Sequence, residues 1–486
     1  MSYLGIDLGT SGLRALLVAE TGRVIGSVER SYSSEHKHSG WSEQDPAHWI
    51  AALEDAVRAL RSSYPDFSDL KAASVAGHMH GATLLDKDGS VIRPCILWND
   101  TRADAEARVL DGMDKVRDIS GNIVFPGFTA PKLLWVAKHE PEHFARVDKV
   151  LLPAAYLNYY LTGDFVADMS DSAGTSWLNV ADREWSDTLL NAGQMRQDQM
   201  PRLVEGCQPA GTLRPELARK WGVSNAVIIA GGAGDNAAAA CGIGALNEGD
   251  GFLSLGTSGV LLAARDGYHP DPASALHTFC HAVPDRWYQM GVMLSATDSL
   301  NWLGQITGKS PSDLTTDLGD TLRGPGRVRF LPYLSGERTP HNDANIRGSF
   351  TSLGKDTTRN DLTHAVLEGV AFGLRDSYEA LIDTGARIDR LLAIGGGARS
   401  QYWIKLIATV LNVPLELPKD GEFGAALGAA RLAMIAHTAD VADRVLTPPE
   451  VAERVMPDAA LQPAFDSAYQ QFRSVYPTLK SVSSLS

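Results

Sequence analysis

Short apolar runs that end in glycine turns recur along this chain of 486 residues. Residues 3–18, YLGIDLGTSGLRALLV, place one aliphatic run before a glycine turn and a second run after it. Residues 227–230 lead through Gly231, Gly232 and Gly234 to Asp235 and an alanine-rich stretch, and residues 252–255 lead into Gly-Thr-Ser-Gly. The pattern predicts strand–turn–strand at 3–18 and strand–turn–helix at 227–241, since aliphatic runs favour strands and glycine favours tight turns.

Two of these patterns are duplicated in the same order. Leu8 to Gly12 and Leu255 to Gly259 are the same pentapeptide, LGTSG. The strand, glycine turn and helix of 227–241 are repeated at 391–411, where LLAI is followed by GGGARS and an amphipathic stretch. Repeated units in matched order are typical of an internally duplicated fold. The duplication therefore predicts two similar α/β domains with a nucleotide between them.

Three further elements follow from local signals. Asp45-Pro46 predicts the start of a helix, because Asp is a favoured N-cap and Pro fits the first helical position. Residues 358–381 predict a long helix that packs closely on a neighbour through its glycines. From Thr447 onward the chain reads as a peripheral helical tail.

Polar residues gather in loops that follow predicted strands. GHMHG at 77–81 and WND at 98–100 end two apolar runs, and loops at strand ends bind ligands in α/β folds. A structural role for the two histidines is an equal alternative. DMSDSAG at 168–174 reads as a solvated turn that could also line a cleft. Residues 330–342, FLPYLSGERTPHN, are too polar and aromatic to be explained as core.

Length and composition narrow the class of protein. A chain of this length exceeds one ordinary core, and the turn-rich segment 242–251 suggests domains at 1–246 and 247–486. With 44% hydrophobic and 21% charged residues, it reads as soluble and globular. The net charge of −14 argues against nucleic-acid or acidic-membrane partners. No signal peptide or spanning run is recognised, and the scattered cysteines suggest reduced thiols in the cytoplasm.

Asp235 is the candidate chemical group, and it has two interpretations. Before an alanine-rich helix, an Asp is most often a plain N-cap. Alternatively, a carboxylate close in sequence to phosphate-binding glycine turns suits phosphoryl transfer. At a helix N-terminus we expect it to stay ionised and therefore to be a weak base.

The motifs together resemble the FGGY family of sugar and polyol kinases, within the actin, hexokinase and heat-shock ATPase fold. The resemblance is carried from residue 5 to about 434 by GIDLGTSG, GHMHGATLLD, ILWND, GFTAPKLLW, GGAGDNAAAACG, LSLGTSG, FLPYLSGERTPHND and GGGARSQYW. The MHGA and SGERTPHN strings are similar to the D-xylulose kinase branch. The chain departs from the family at His78, where Gln is usual, at Ala154-Ala155, where Lys-Asp is frequent, and at Arg14, where Lys is usual.

The resemblance implies two ribonuclease-H-like domains with mixed sheets, and transfer of phosphate from ATP to the terminal hydroxyl of D-xylulose, with Asp235 as the base. It implies a Mg²⁺ ion held by Asp7 and Asp235. The residues expected to contact the sugar are Met79, His80, Trp98, Asp100, Asp235 and Asn236. Those expected to bind ATP are Gly9, Thr10, Ser11, Arg14, Gly256, Thr257, Ser258, Gly396, Gly397, Ala398 and Ser400.

Two other functions remain open at this point. The nearer one is a kinase for another ketose or polyol, such as ribulose or glycerol. The farther one is an actin-like nucleotide-binding module without sugar chemistry. A homodimer is compatible with the resemblance.

Overall fold

The computed structural model describes residues 1–224, 226–419 and 424–483, and it shows an α/β protein built on two mixed sheets of seven strands each. The first sheet contains β1 (Ser2–Leu8), β2 (Gly12–Ala19), β3 (Val24–Ser31), β4 (Leu70–Gly77), β5 (Pro209–Thr212), β6 (Ile228–Ala230) and β7 (Ala233–Gly234). The second contains β8 (Gly249–Leu255), β9 (Gly259–Arg265), β10 (His277–Cys280), β11 (Trp287–Met293), β12 (Ile388–Ile394), β13 (Leu415–Pro418) and β14 (Val451–Val455).

The longer helices are α1 (Pro46–Ser63), α2 (Asp104–Asp111), α3 (Thr129–His139), α4 (Pro153–Thr162), α5 (Asp235–Ile243), α6 (Thr297–Thr307), α7 (Arg359–Asp383), α8 (Gln401–Leu411), α9 (Ala425–Thr438) and α10 (Gln462–Ser483). Shorter helices lie at Val116–Ser120, Pro141–Phe144, Met169–Ser172, Asp187–Ala192, Pro215–Trp221, Pro311–Thr316 and Ala442–Val445. Short strands outside the two sheets lie at Glu43–Gln44, Thr83–Leu85, Cys95–Ile96, Lys149–Leu151, Val166–Asp168, Leu178–Asn179, Glu184–Trp185, Arg202–Val204, Arg329–Leu331 and Ser349–Thr351.

The two sheets share one topology. In the first, β1 pairs antiparallel with β2, β2 antiparallel with β3, β1 parallel with β4, and β4 parallel with β6. In the second, β8, β9, β11, β12 and β13 repeat these four pairings with the same directions. The duplicated fold predicted from the LGTSG repeat is therefore confirmed.

The last strand of the second sheet corrects one prediction. Val451–Val455 pairs antiparallel with β13, just as β5 pairs antiparallel with β6 in the first sheet. The segment after Thr447 is therefore not purely helical: it completes the second copy of the fold before α10 begins at Gln462. As an edge strand that is exposed over most of its length, it carries no apolar alternation.

Two helices cross where the halves meet. Helix α9, from the second half of the chain, covers the first sheet: Leu16 and Val18 of β2 pack against Ala426 and Ala430. Helix α5 packs against α9 so tightly that a Cβ added at Gly428 would overlap the carbonyl oxygen of Ala238. The halves are thus joined by packed backbone as well as by the connection between α5 and β8.

Other predicted elements are found close to their expected bounds. Asp45 is the N-cap of α1, with Pro46 as its first residue, and α7 extends the helix predicted at 358–381. Thr358 caps α7 and forms a capping box with Asp361. Among the described residues, none of the helices combines the length and apolarity needed to cross a membrane.

Candidate functional site

Three loops of the first half leave neighbouring strands at the same level of the sheet. Leu8 of β1 is in register with Gly77 of β4, and Gly77 is in register with Gly234 of β7. The glycine turn after Leu8, the Met79–His80 loop after Gly77 and Asp235 after Gly234 therefore begin side by side. The register brings together a glycine turn, a polar loop and a carboxylate.

Asp235 is the first residue of α5, and the N-cap position belongs to Gly234. Its Oδ1 accepts hydrogen bonds from the backbone nitrogen of Asn236 (2.7 Å) and from Asn236 Nδ2 (2.9 Å). The plain N-cap interpretation is wrong for this position, since Asp235 lies inside the helix. Its side chain stays half-buried at the cleft.

Burial changes the basicity of Asp235. It raises the pKa of this carboxyl to about 6, against the opposing effect of the two hydrogen bonds from Asn236. The carboxylate is therefore ionised at neutral pH as expected, but the expectation of a weak base is wrong. A pKa of about 6 is better matched to accepting a proton near pH 7.

Asp7 is a second carboxylate beside the first glycine turn. Burial, together with the charge of Asp235, raises its pKa to about 7 against the opposing effect of the Arg14 guanidinium. Arg14 lies opposite Asp7 in the hairpin, where its Nε donates to Ser27 Oγ (3.0 Å) and lies 3.4 Å from a carboxylate oxygen of Glu29. The carboxylates of Asp7 and Asp235 are close enough for their charges to interact.

The first glycine turn is held from three sides. Tyr32 donates its hydroxyl to the carbonyl of Gly9 (2.6 Å), and Gln44 Nε2 donates to the carbonyl of Thr10 (2.6 Å). Trp98, which is 45% exposed, donates its indole N–H to Thr10 Oγ1 (2.9 Å). Trp98 thus lies against the first glycine turn, and Ser11 is exposed at the tip of that turn.

The second glycine turn is held by the start of α6. The backbone nitrogen of Thr297 and its hydroxyl both donate to the carbonyl of Gly256 (3.0 and 2.7 Å). The side chains of Thr257 and Ser258 remain exposed. A Cβ added at Gly256 would meet only Ser258 of its own turn, so the space in front of it is open.

A cavity of about 420 Å³ adjoins this second turn. Its lining includes Thr297, Asn301, Gly396, Gly397 and Ser400. The loop before α8 approaches β8 closely, because a Cβ on Gly395, whose φ is 91°, would lie 2.7 Å from the carbonyl oxygen of Leu255. Ala398 lies in the same single helical turn, Gly396–Arg399, and Ser400 caps α8. The volume is in the range of small-molecule sites.

The Met79–His80 loop has an unusual backbone. His80 has a φ of 69°, and its Nδ1 lies 2.7 Å from the carbonyl oxygen of Gly174. That nitrogen must carry the proton, because a carbonyl only accepts, so Nε2 is left as an acceptor. The ring stacks on Phe128 with centroids 4.4 Å apart, and burial lowers its pKa to about 3. His80 is therefore neutral, with a fixed tautomer.

The side chain of Met79, in the same loop, is buried and only 4% exposed. Tyr288 donates its hydroxyl to Met79 Sδ at 3.9 Å, and a Cβ on Gly234 would lie 2.9 Å from Met79 Cγ. The side chain thus packs between the last residue before Asp235 and a strand of the second sheet.

Asp100 lies in a buried polar network. Its carboxylate accepts hydrogen bonds from the backbone nitrogen of Ser42 (2.6 Å) and from the guanidinium of Arg102 (2.7 Å). The Arg102 guanidinium also lies over the ring of Trp41, 3.6 Å from its centroid. These partners make Asp100 a fixed part of the loop that carries Trp98.

The segment 168–174 was predicted to be a solvated turn, with a place lining a cleft as the alternative. It is buried, so the solvated-turn prediction is wrong: Asp171 is 1% exposed, and Ser170 Oγ accepts the backbone N–H of Gly234 (3.1 Å). Neither carboxylate oxygen of Asp171 has a hydrogen-bond partner among the described residues. Burial raises its pKa well above the usual range, and Asp168 and Asp235 raise it further.

The loop at 330–342 contributes Arg338, which sequence reasoning also missed as a site residue. Its guanidinium lies over Phe125, 4.4 Å from the ring centroid, and Nη1 is 3.4 Å from His277 Nε2. A residue of the second half thus contacts the first half beside His80. The signals for it were the unexplained polarity of this loop and the SGERTPHN string, which contains Arg338.

The described residues contain no group of three or more His, Cys, Asp or Glu side chains arranged to hold a metal ion. Asp7 and Asp235 are two interacting carboxylates, and oxygen ligands are what Mg²⁺ prefers. Mg²⁺ keeps several waters and often needs only one or two protein carboxylates when phosphates are present. The pair fits that requirement.

A glycine turn beside a carboxylate of raised pKa, repeated as a second glycine turn in the other half of a duplicated fold, is typical of a two-domain phosphotransferase. Comparison with known proteins gives the family. Models of the N-terminal and C-terminal domains of the FGGY family of carbohydrate kinases match residues 2–242 and 251–437. The chain belongs to the FGGY family of carbohydrate kinases.

Particular relatives are similar over their whole length. A xylulose kinase of Escherichia coli (strain K12) is 45% identical over 482 residues, 98% of this chain and 99% of that one. A crystal structure of a "xyloylose kinase" from Brucella ovis superposes with a TM-score of 0.98 at 54% identity, covering 99% of this chain and 100% of that one. A glycerol kinase from Plasmodium falciparum shares the fold, with a TM-score of 0.87 at 19% identity, covering 99% and 98%.

Proposed function

We propose that this protein transfers the γ-phosphoryl group of ATP to the terminal hydroxyl of D-xylulose and forms D-xylulose 5-phosphate. The observation that carries the proposal is the position of Asp235. Asp235, whose carboxyl has a pKa of about 6, follows a strand that ends beside the strands leading into the Gly9 turn and the Met79–His80 loop. The xylulose kinases similar to this chain support the choice of sugar.

Asp235 is the proposed general base. The terminal hydroxyl oxygen of the sugar attacks the γ-phosphorus, the bond from that phosphorus to the β,γ-bridging oxygen breaks, and ADP leaves. The hydroxyl proton passes to the Asp235 carboxylate. In a loose transition state the proton leaves late, so a base of moderate strength is sufficient.

The sugar is proposed to lie on the loop that begins at Gly77. His80 Nε2, as a fixed acceptor, receives a hydrogen bond from a sugar hydroxyl, while Met79 supplies an apolar contact. Asn236 is held against Asp235 and orients it. Trp98, bound to Thr10, closes the space between the sugar and the first phosphate turn. Asp100 is proposed to hold the loop that carries Trp98, since its carboxylate already accepts hydrogen bonds from Ser42 and Arg102.

ATP is proposed to bridge the two halves. The turns at Gly9–Ser11 and Gly256–Ser258 would hold the phosphates through backbone N–H and hydroxyl groups, with Arg14 adding positive charge. The cavity lined by Gly396, Gly397 and Ser400, next to Ala398, would hold the adenosine. Asp7 and Asp235 would hold Mg²⁺, partly through water, and the ion would neutralise charge on the phosphates.

Some alternative substrates differ from D-xylulose in the functional groups that the site would recognise. Glycerol and other polyols lack the ketose carbonyl, and the xylulose kinases are more similar to this chain than the glycerol kinase is. A nucleotide-binding module without sugar chemistry has no use for a half-buried carboxylate of raised pKa beside a polar loop.

Turnover of ATP coupled to NADH oxidation, with D-xylulose, D-ribulose, L-ribulose and glycerol side by side, tests this proposal. We expect D-xylulose to give the highest kcat/KM and the sugar-free reaction to be slow. A higher kcat/KM for another sugar would overturn the substrate, and ATP turnover that no sugar stimulates would overturn the kinase.

The remaining assignments belong to the same proposal. We divide the chain into domains at 1–246 and 247–486, although α9 packs on the first sheet. The free thiols of Cys95, Cys207, Cys241 and Cys280 support a cytoplasmic location. A homodimer stays a prediction, which light scattering on the eluting protein would measure.

A further inference from the structure

Lys132 is a fully buried lysine whose position the proposed chemistry does not use directly. It lies in the first turns of α3, with 0% exposure. Its Nζ donates to the backbone carbonyl of His80 at 2.8 Å, and Thr129 Oγ1 donates to the same oxygen at 3.1 Å. One carbonyl oxygen thus receives two side-chain donors from a single helix.

The burial of this lysine needs an explanation. Within the described ranges, no carboxylate lies within ion-pair distance of its Nζ, and burial lowers its pKa to about 7. A buried amine is costly unless its hydrogen bonds compensate, and an apolar side chain of similar length would fill the same space without that cost. The hydrogen bond to His80 is therefore the feature that distinguishes Lys132 from a packing residue.

The hydrogen bond from Lys132 reaches the backbone of His80, whose conformation is one that needs to be held in place. A φ of 69° lies in the left-handed region, which is unfavourable for residues other than glycine. Residues in that conformation persist when their surroundings fix them. The two donors to the His80 carbonyl provide such fixing directly.

The same segment of chain also fixes the ring. Phe128, the N-cap residue of α3, stacks on the imidazole of His80 at an interplanar angle of 17°. The carbonyl of Gly174 accepts from Nδ1 on the other edge. The start of α3 therefore holds His80 by its backbone and by its ring, and the only polar ring atom left for a ligand is Nε2.

We infer that Lys132 is a positioning residue for the sugar: through the His80 carbonyl it sets the direction in which His80 presents Nε2 to a sugar hydroxyl. The inference rests on the proposed function in one respect, the contact between His80 and the sugar. Thr129 has the same role as the weaker, uncharged donor.

Steady-state kinetics of the full-length enzyme, with sugar and ATP varied separately, test this role. Lys132→Met removes the donor and keeps the length of the side chain. We expect KM for D-xylulose to rise about tenfold, as for loss of a buried hydrogen bond, while KM for ATP stays within about twofold. Lys138→Met, an exposed lysine of the same helix, is the matched control and should behave as wild type.

Two further sets of variants distinguish a positioning role of Lys132 from an effect on protein stability alone. Thr129→Val should raise KM for the sugar about threefold, and Thr129→Ser, which keeps the hydroxyl, should restore it. In a His80→Ala background, Lys132→Met should add less than about twofold to KM, since the ring it positions is gone. If Lys132→Met does not fold, the Thr129 pair decides.

The outcomes separate this role from the proposed function. An unchanged KM for sugar in active Lys132→Met, or equal increases in both KM values, would overturn the positioning role alone. Equal KM values for sugar in Thr129→Val and Thr129→Ser would also overturn the positioning role. A wild-type enzyme that no sugar stimulates would overturn the proposed function and this role with it.

Discussion

Replacing Asp235 by Asn tests the assigned base with the least structural change. The amide oxygen can still accept the two hydrogen bonds that Asn236 donates, so α5 should begin as before. What is lost is the capacity to take a proton. General-base catalysis contributes about 10²–10⁴-fold, and we expect kcat to fall by about that factor while KM for ATP changes little.

The pH dependence adds a quantitative check on the wild type. The base works in its ionised form, so activity falls as the pH drops through its pKa. With a pKa of about 6, about nine-tenths of the groups are ionised at pH 7 and about one-tenth at pH 5, a tenfold loss. An ordinary exposed Asp would lose less than about a tenth of its activity over this range.

The assay is coupled ATP turnover for wild type, Asp235→Asn and the exposed control Asp88→Asn. The loss in the variant is read from kcat at saturating Mg²⁺, ATP and D-xylulose, and the pH profile of the wild type is read from kcat/KM, which reports the free enzyme. The reasoning would be refuted if Asp235→Asn turned over within threefold of wild type with an unaltered fold. A wild-type acid limb near pH 4 would refute the raised pKa but leave the role as base.

Four other substitutions test three separate parts of the account. Gly9→Val and Gly256→Val place a branched side chain where phosphate is proposed to approach. At Gly256 the added Cβ would meet only Ser258 at 3.5 Å, whereas at Gly9 it would lie 3.1 Å from the carbonyl oxygen of Gly12. Both should raise KM for ATP more than KM for sugar, and an effect on sugar alone would count against phosphate binding. His80→Ala should raise KM for D-xylulose about tenfold and leave nucleotide binding, measured by calorimetry, nearly intact; a comparable loss of ATP affinity would contradict this. Gly428→Ala forces a methyl group against the carbonyl oxygen of Ala238 between α5 and α9, so the thermal midpoint should drop by the equivalent of about 1–3 kcal/mol, and an unchanged midpoint would disprove that contact.

Local chemistry explains which features the sequence could predict. The two LGTSG turns and the strand–glycine–helix units depend on short-range rules, and the structure confirms them with two sheets of one topology. The start of α1 followed from Asp45 and Pro46 in the same way. Because Leu8, Gly77 and Gly234 end neighbouring strands, motifs recognised separately in the sequence also meet in space.

The features that escaped prediction depend on burial. DMSDSAG reads as a solvated turn because nothing local reveals that Asp171 is enclosed. Lys132 lies in an amphipathic helix where a lysine is ordinarily on the polar face, and its partner is a backbone carbonyl 52 residues away. The pKa of Asp235 likewise reflects its surroundings more than its place in the helix.

Strand β14 was missed for a different reason. Its residues are mostly exposed at the edge of the second sheet, so they show no alternation of apolar and polar side chains. Only the symmetry of the duplication, in which β5 has the corresponding place in the first sheet, could have revealed it.

The central claim is that the cleft passes the γ-phosphoryl group from ATP to the terminal hydroxyl of D-xylulose. Phosphorus NMR of a mixture of enzyme, Mg²⁺, ATP and D-xylulose follows that group directly. We expect one phosphate ester, at the C5 oxygen, for each ATP consumed, and almost no ATP loss when the sugar is omitted. Release of inorganic phosphate at the same rate with or without D-xylulose, and no ester signal, would contradict the claim.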